Sequence, residues 1–252
     1  MNIRSCCVIP SRNHYRTLPS IIRRLRELCL TVFVIDDASD DPAREALARM
    51  HAPSDGVTVV RLPERAGKGG ATIFGFTLAD ASGFSHVVQV DADGQHDLDE
   101  LCKLLELAQR HPHALINGIA RYEGYVPTGR RYGRYFTHAW VWIETLSFRV
   151  KDSMCGFRIY PLSAVVPLIA SEQIGQFMDF DTSILVRLYW RGVAVIGVPV
   201  KVVYPAENTS NFEIWRDNWR ITKMHTRLVL GMLPRFPILL RRRFFSIMRR
   251  ET

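Results

Sequence analysis

Two short apolar runs, each ending abruptly in acidic residues, constrain this chain more than any other feature. Residues 31–35 (Thr-Val-Phe-Val-Ile) run into Asp36-Asp37, and residues 86–90 (His-Val-Val-Gln-Val) run into Asp91-Ala92-Asp93. A continuous rather than alternating apolar run suits a strand buried on both faces, as in a parallel sheet covered by helices. In open parallel sheets, ligands collect at the carboxyl ends of the strands. The two acid clusters therefore fall where such a fold places its chemistry.

The surrounding pattern agrees. Residues 3–9 read as a strand closed by Pro10, and Leu18, Ile21, Ile22, Leu25 and Leu28 recur at helical spacing. Asp41-Pro42 offers an N-cap acceptor followed by proline at the first helical position. Residues 57–61 read as a third strand and 68–81 as a third helix. Asp97-Leu-Asp-Glu100 resembles a capping box opening a helix through Arg110. This β-α-β-α-β-α-β order predicts an α/β fold, a doubly wound and mostly parallel sheet flanked by helices.

Beyond residue 113 the pattern loosens. It predicts a short strand over 114–117, a long loop over 118–135 and an aromatic-rich helix over 136–148. Strands over 156–160 and 193–203 enclose a helix from Asp181 to Trp190, and a final amphipathic helix spans Arg216–Leu230. The expected organisation is one domain over 1–215 with a C-terminal amphipathic, basic helical appendage over 216–252.

Composition narrows the class. The net charge is +8, which implies an anionic partner, and 47% of residues are hydrophobic. No run of 18 apolar residues exists, and Met1–Ser5 leads straight into a strand without the features of a secretory signal. The expectation is a cytoplasmic protein, peripheral on the cytoplasmic face of a membrane. The five cysteines lack paired spacing and read as small apolar residues, Cys29 and Cys102 on apolar helix faces.

Asp91 and Asp93, two residues apart at a strand end, can share one hard cation with substrate phosphate oxygens; Mg²⁺ and Mn²⁺ favour such an incomplete oxygen cage. Aspartate is also a common turn and helix-cap residue, but two acid clusters at two strand ends favour a ligand. Gly67-Lys68-Gly69-Gly70 is not a P-loop, because Leu62 and Gly69 stand where glycine and Ser or Thr are required. It can still present backbone N–H groups and a lysine to an anion.

Taken in order, these segments resemble the family 2 glycosyltransferases of the GT-A fold, in particular the dolichyl-phosphate mannosyltransferase-like, polyprenyl-phosphate branch. Val8-Ile9-Pro10 with Asn13 is similar to that family's opening strand and loop, and Val34–Asp41 to its nucleoside-binding segment. Arg65–Ala71 resembles its Asn-x-Gly-Lys-x-x-Ala stretch, with arginine for asparagine. Val90–His96 is similar to its metal motif, Gly118–Arg121 to its Gly-x-x-Arg element, and Asp152–Arg158 to its Asp-x-x-Ser-Gly-Phe-Arg element with Cys155 for serine. The late Arg-x-x-Gly-x-Ser-Lys element is missing, Tyr204–Phe212 standing near its place.

The resemblance implies an inverting transferase that uses Mg²⁺ or Mn²⁺ and a UDP- or GDP-sugar. Asp36 or Asp37 would meet the base, Asp91 the ribose or metal, and Asp93 the metal. Pro10, Asn13 and Lys68 would line the nucleotide side, and His225, as in some relatives, would be a further metal ligand. Candidate bases are Asp152, Asp179 and Asp181; an ionised lipid-phosphate acceptor would need none. Arg121, Arg130, Arg131, Arg134 and Arg158 are candidates for holding an acceptor phosphate. The tail from Leu228 to Arg250 interleaves arginines with bulky apolar residues, suiting an anionic membrane surface. A sugar-nucleotide pyrophosphorylase would need a Gly-rich basic loop after the first strand, where Pro10-Ser11-Arg12-Asn13 stands. A non-catalytic basic module binding nucleic acid lacks any supporting motif.

Overall fold

The computed structural model describes residues 3–123, 128–203 and 213–248. Its strands are β1 (Ser5–Ser11), β2 (Thr31–Asp36), β3 (Val57–Arg61), β4 (His86–Gln89), β5 (Leu115–Glu123), β6 (Arg158–Pro161) and β7 (Val195–Val203). They form one seven-stranded sheet in the order β3-β2-β1-β4-β6-β5-β7. Pairing is parallel except at β6, which runs antiparallel to both β4 and β5. This is the predicted doubly wound sheet.

The helices are α1 (Leu18–Glu27), α2 (Ala43–Arg49), α3 (Gly67–Ala81), α4 (Leu101–Arg110), α5 (Thr128–Thr145), α6 (Leu162–Ser171), α7 (Phe180–Trp190), α8 (Ile214–Met232) and α9 (Phe236–Met248). Side chains alternate across β1, so Cys6 and Val8 enter one apolar cluster while Cys7 and Ile9 enter the other. The first cluster takes Phe76 of α3, Leu168 of α6, Ile184 of α7 and Leu228 of α8. The second takes Leu25 of α1 and Leu104 of α4. Truncating a fully buried side chain such as Leu25 or Leu104 to alanine should cost about 2–5 kcal/mol.

Several expectations shift. Strand β1 continues through Pro10 to Ser11, because it stays paired with β2 to Ser11 while its pairing with β4 ends at Val8, so the missing N–H of Pro10 costs no ladder bond there. Asp41 does not cap α2; it pairs with Arg44 at 3.0 Å, and Pro42 stands at the N-cap. Asp97 accepts from the Asp99 N–H, but what it opens is a 3-10 turn that leads into α4. Residues 118–135, expected as loop, carry the rest of β5 and the start of α5, since β5 pairs with β7 along all nine of its residues. Helix α6 was not expected at all, its pattern being interrupted by Pro167. Cys29 and Cys102 are exposed rather than turned to an apolar face.

Helices α8 and α9 lay Met224, Leu228, Met232 and Leu239 into the first cluster. Arg235 stacks over Trp190 at 4.8 Å, and Arg242 donates to the Tyr189 and Trp190 carbonyls. No helix among the described residues is long and apolar enough to cross a membrane.

Candidate active site

The carboxyl edge of the sheet collects the candidate residues into three neighbouring groups. The first is at the ends of β1 and β2. Asp36 is buried and bonds Arg61 at 2.6 Å and the Ser39 N–H at 2.9 Å. Asp37, also buried, accepts from the Ala66 and Gly67 N–H groups and so caps α3. Asn13, in left-handed conformation at φ 63°, exchanges hydrogen bonds with Asp40 and ties the two loops together. Both acids that the resemblance assigns to the base thus have partners within the protein. The Gly67–Gly70 turn has a packing reason for its glycines. A Cβ on Gly67 would lie 2.4 Å from the Gln176 carbonyl, and one on Gly69 would lie 2.5 Å from that of Gly175.

The second group follows β4. The Lys68 ammonium, just inside α3, reaches Asp91 and Asp181 at 2.8 Å each. Gln89, buried in β4, donates to the other Asp181 oxygen at 2.9 Å. His96 approaches Asp91 at 3.6 Å and stacks on Phe157. Burial alone would raise the Asp91 pKa, but Lys68 and His96 outweigh it and hold the carboxyl well below the usual range. Burial likewise opposes the charge on Lys68, and Asp181 and Asp91 overcome it, raising the ammonium pKa. Asp93 is raised, first by burial and then by the Asp91 charge. Two half-buried carboxylates with one disfavoured by the other suit a hard divalent cation. Asp91 and Asp93 would hold it, with substrate phosphates and water filling the shell. Among the described residues no set of three or more His, Cys, Asp or Glu forms a metal-ligating group.

The third group lies under β5 and α5. Asp152 is buried and accepts from the N–H groups of Ala120, Met154 and Cys155 and from Arg134. Burial would raise its pKa, but His138 and Arg134 bring it well below the ordinary carboxylate value. Arg158 is fully buried and donates to the Asp181 carbonyl at 2.6 Å and the Ser153 carbonyl at 2.7 Å. A cavity of about 110 Å³ joins the second and third groups, lined by Asp91, Asp93, His96, Tyr122, Arg134 and Cys155 among others.

Other expected residues lie apart. Asp179 accepts from the Phe177 N–H at 3.1 Å and packs on Gly175. Arg121 is exposed on β5, the side chains of Arg130 and Arg131 lie outside the described residues, and so do 204–212. His225 is buried rather than at the helix surface, with Nδ1 2.7 Å from Glu144 of α5; none of its described contacts is to Asp91 or Asp93. Sequence reasoning missed Gln89, His96, Tyr122 and His138. Two of them carried a signal: Gln89 as a polar residue inside an apolar run, and His96 as the last residue of the Val90–His96 motif.

A profile of the family described as glycosyl transferase family 2 matches residues 6–164, well over half of the chain. The chain belongs to glycosyl transferase family 2. The matched span includes Lys68, Asp91, Asp93, Asp152 and Arg158. An undecaprenyl-phosphate mannosyltransferase from Micrococcus luteus is 29% identical over 209 residues, covering 80% of this chain and 84% of that protein. A polyprenol monophosphomannose synthase from Mycolicibacterium smegmatis is 26% identical over 213 residues, covering 78% and 76%. These relatives are in the branch that the motifs resemble, and the family makes the chain an enzyme, a glycosyltransferase. The fold matches glucosyl-3-phosphoglycerate synthase from Mycobacterium tuberculosis, solved with Mn²⁺ and UDP-glucose. The TM-score is 0.64 at 18% identity, over 93% of this chain and 79% of that one.

Proposed function

We propose that this family 2 enzyme is an inverting transferase that moves a sugar from a UDP- or GDP-sugar to a lipid-linked phosphate, with Mg²⁺ or Mn²⁺. The observation that carries the reading is the convergence of Asp91, Asp93, Lys68 and Asp181 beside β4, next to a cavity that Arg134 and Tyr122 also line. Asp91 and Asp93 would hold the cation, which when bound would neutralise charge growing on the departing nucleoside diphosphate. Lys68 adds a second positive charge on the same side. The relatives' polyprenyl-phosphate acceptors and the Mn²⁺-containing structural neighbour support both halves.

The three candidate bases are all engaged. Asp152 is clamped by three backbone N–H groups and Arg134, Asp179 caps a turn, and Asp181 holds Lys68 and Gln89. The depressed pKa of Asp152 makes it a weak proton acceptor. An acceptor that arrives already ionised, such as a lipid phosphate, needs no such proton transfer. Arg134 then holds the acceptor phosphate at the cavity wall, while Arg158, buried under Asp181, braces the floor.

Calorimetry of UDP and GDP with and without Mn²⁺ tests the donor half. Tight binding of one nucleotide only with metal is expected, and metal-independent or absent binding of both refutes it. Release of that nucleotide on adding undecaprenyl phosphate, but not on adding a neutral polyprenol, tests the acceptor half.

A further inference from the structure

Helix α8 is apolar on two sides, and only one of them is used by the core. Its buried stripe is Asp217, Met224, His225, Leu228 and Met232. On the other side Trp215 (89% exposed), Trp219 (70%), Leu230 (60%) and Leu233 (56%) line up with Thr222 and Thr226 between them. At about 100° per residue these six positions fall within an arc of about 80°, so they form one stripe rather than scattered residues. Nothing among the described residues packs on it. Arg216, Lys223 and Arg227 run along one flank of that stripe, all exposed. Lys223 and Arg227 make no ion pair among the described residues. On the opposite flank α5 continues the apolar surface: Phe136, 64% exposed, meets Trp140, whose ring lies 6.1 Å from that of His225.

The geometry points to α8 as an in-plane membrane helix, its Trp215–Leu233 stripe entering the headgroup layer of an anionic bilayer. Tryptophan rings favour that layer, and a basic row parallel to an apolar stripe is the arrangement that binds acidic lipid. A second copy of the chain is disfavoured, because pairing the stripe with itself sets two rows of like charge side by side. The stripe overlaps the basic tail only at Leu230 and Leu233 and is separate from α9, whose Arg242 folds back onto the Tyr189 and Trp190 carbonyls. Helix α5 joins it to Arg134 at the cavity, which brings the acceptor side of the site toward the lipid. The choice of a bilayer as occupant rests on the lipid-phosphate reading given above.

The test uses the full chain and sedimentation with vesicles of phosphatidylcholine containing phosphatidylglycerol, or of phosphatidylcholine alone. The protein should bind the anionic vesicles and lose most binding at high salt. A variant carrying W215S, W219S and L230S should lose at least about tenfold in partitioning, and so should the separate variant K223E/R227E, with unchanged melting temperature and unchanged metal-dependent nucleotide binding. R241E/R243E should lose less than either. Wild-type partitioning by both α8 variants would overturn the inference. So would a wild-type dimer that the serine variant converts to a monomer without any vesicle binding. Transfer to a short-chain, detergent-soluble polyprenyl phosphate is measured separately. It should persist in both variants, so failure of the acceptor reading is seen apart from failure of the membrane surface.

Discussion

Gly156, the residue before Phe157, lies against the carboxylate of Asp91. A Cβ added there would sit 2.5 Å from Asp91 Oδ2 and 2.7 Å from Oδ1, about 1 Å inside ordinary contact. The backbone at Gly156 is not among the positive-φ positions, so alanine is conformationally acceptable and the conflict falls on the carboxylate alone. Gly156→Ala should therefore push Asp91 aside by about 1 Å while its Lys68 partner remains held by Asp181. Overpacking of this kind costs about 1–2 kcal/mol, a fall in Tm of about 2–8 °C for a chain of this size. Metal coordination tolerates about 0.2 Å, so the same displacement should weaken metal affinity by about 10–100-fold. Calorimetric titration of Mn²⁺ in the presence of the nucleotide, beside a thermal melt, reads the two effects separately. An unchanged Mn²⁺ affinity in a folded Gly156→Ala protein would refute Asp91 as a ligand.

Arg158→Leu should destabilise the fold by about 1–3 kcal/mol in denaturant titration, because it strips the Asp181 and Ser153 carbonyls of a buried donor. His225→Ala should lower stability by a few kcal/mol, on the order of a broken buried pair, by leaving Glu144 buried without its partner. Asp152 has a depressed folded pKa, so its stabilisation is present above the unfolded value near 3.9 and is lost as pH falls below it. Asp152→Asn should accordingly flatten the dependence of Tm on pH below about pH 4. Alkylation of the native protein at pH 8 should label Cys29 and Cys102 and spare Cys155, whose thiol burial pushes up to about 12; mass spectrometry reads the sites.

The N-terminal half of the sheet, β1 to β4, was legible because its strands and helices carry their own periodicity. Residues 31–35 and 86–90 needed no distant partner to be recognised as buried strands. Helix α6 was hidden by Pro167, and the length of β5 depended on β7 more than seventy residues later, which no local pattern reports. The acid clusters were legible as positions but not as contacts. Asp37 closes the start of α3, and Lys68 pairs both with Asp91 and with Asp181, the latter 113 positions further along the chain. Such pairings follow from the crossovers, not from spacing. His138 looked ordinary in sequence because its importance comes only from the carboxylate it faces.

The one reversed strand has a further consequence. Because β6 runs against its neighbours, its entry rather than its exit lies at the carboxyl edge, and Arg158 there stands opposite Gln89. The segment from Asp152 to Phe157 therefore reaches the site from the opposite chain direction to the turns after β1, β2 and β4. One wall of the cleft is built by chain leaving the sheet and the other by chain arriving at it. Insertions or exchanges between Leu146 and Lys151 could thus reshape the arriving wall while the register of the departing strands, and the acids at their ends, stayed in place. A fold wired this way can alter one wall of its cleft without rebuilding the other.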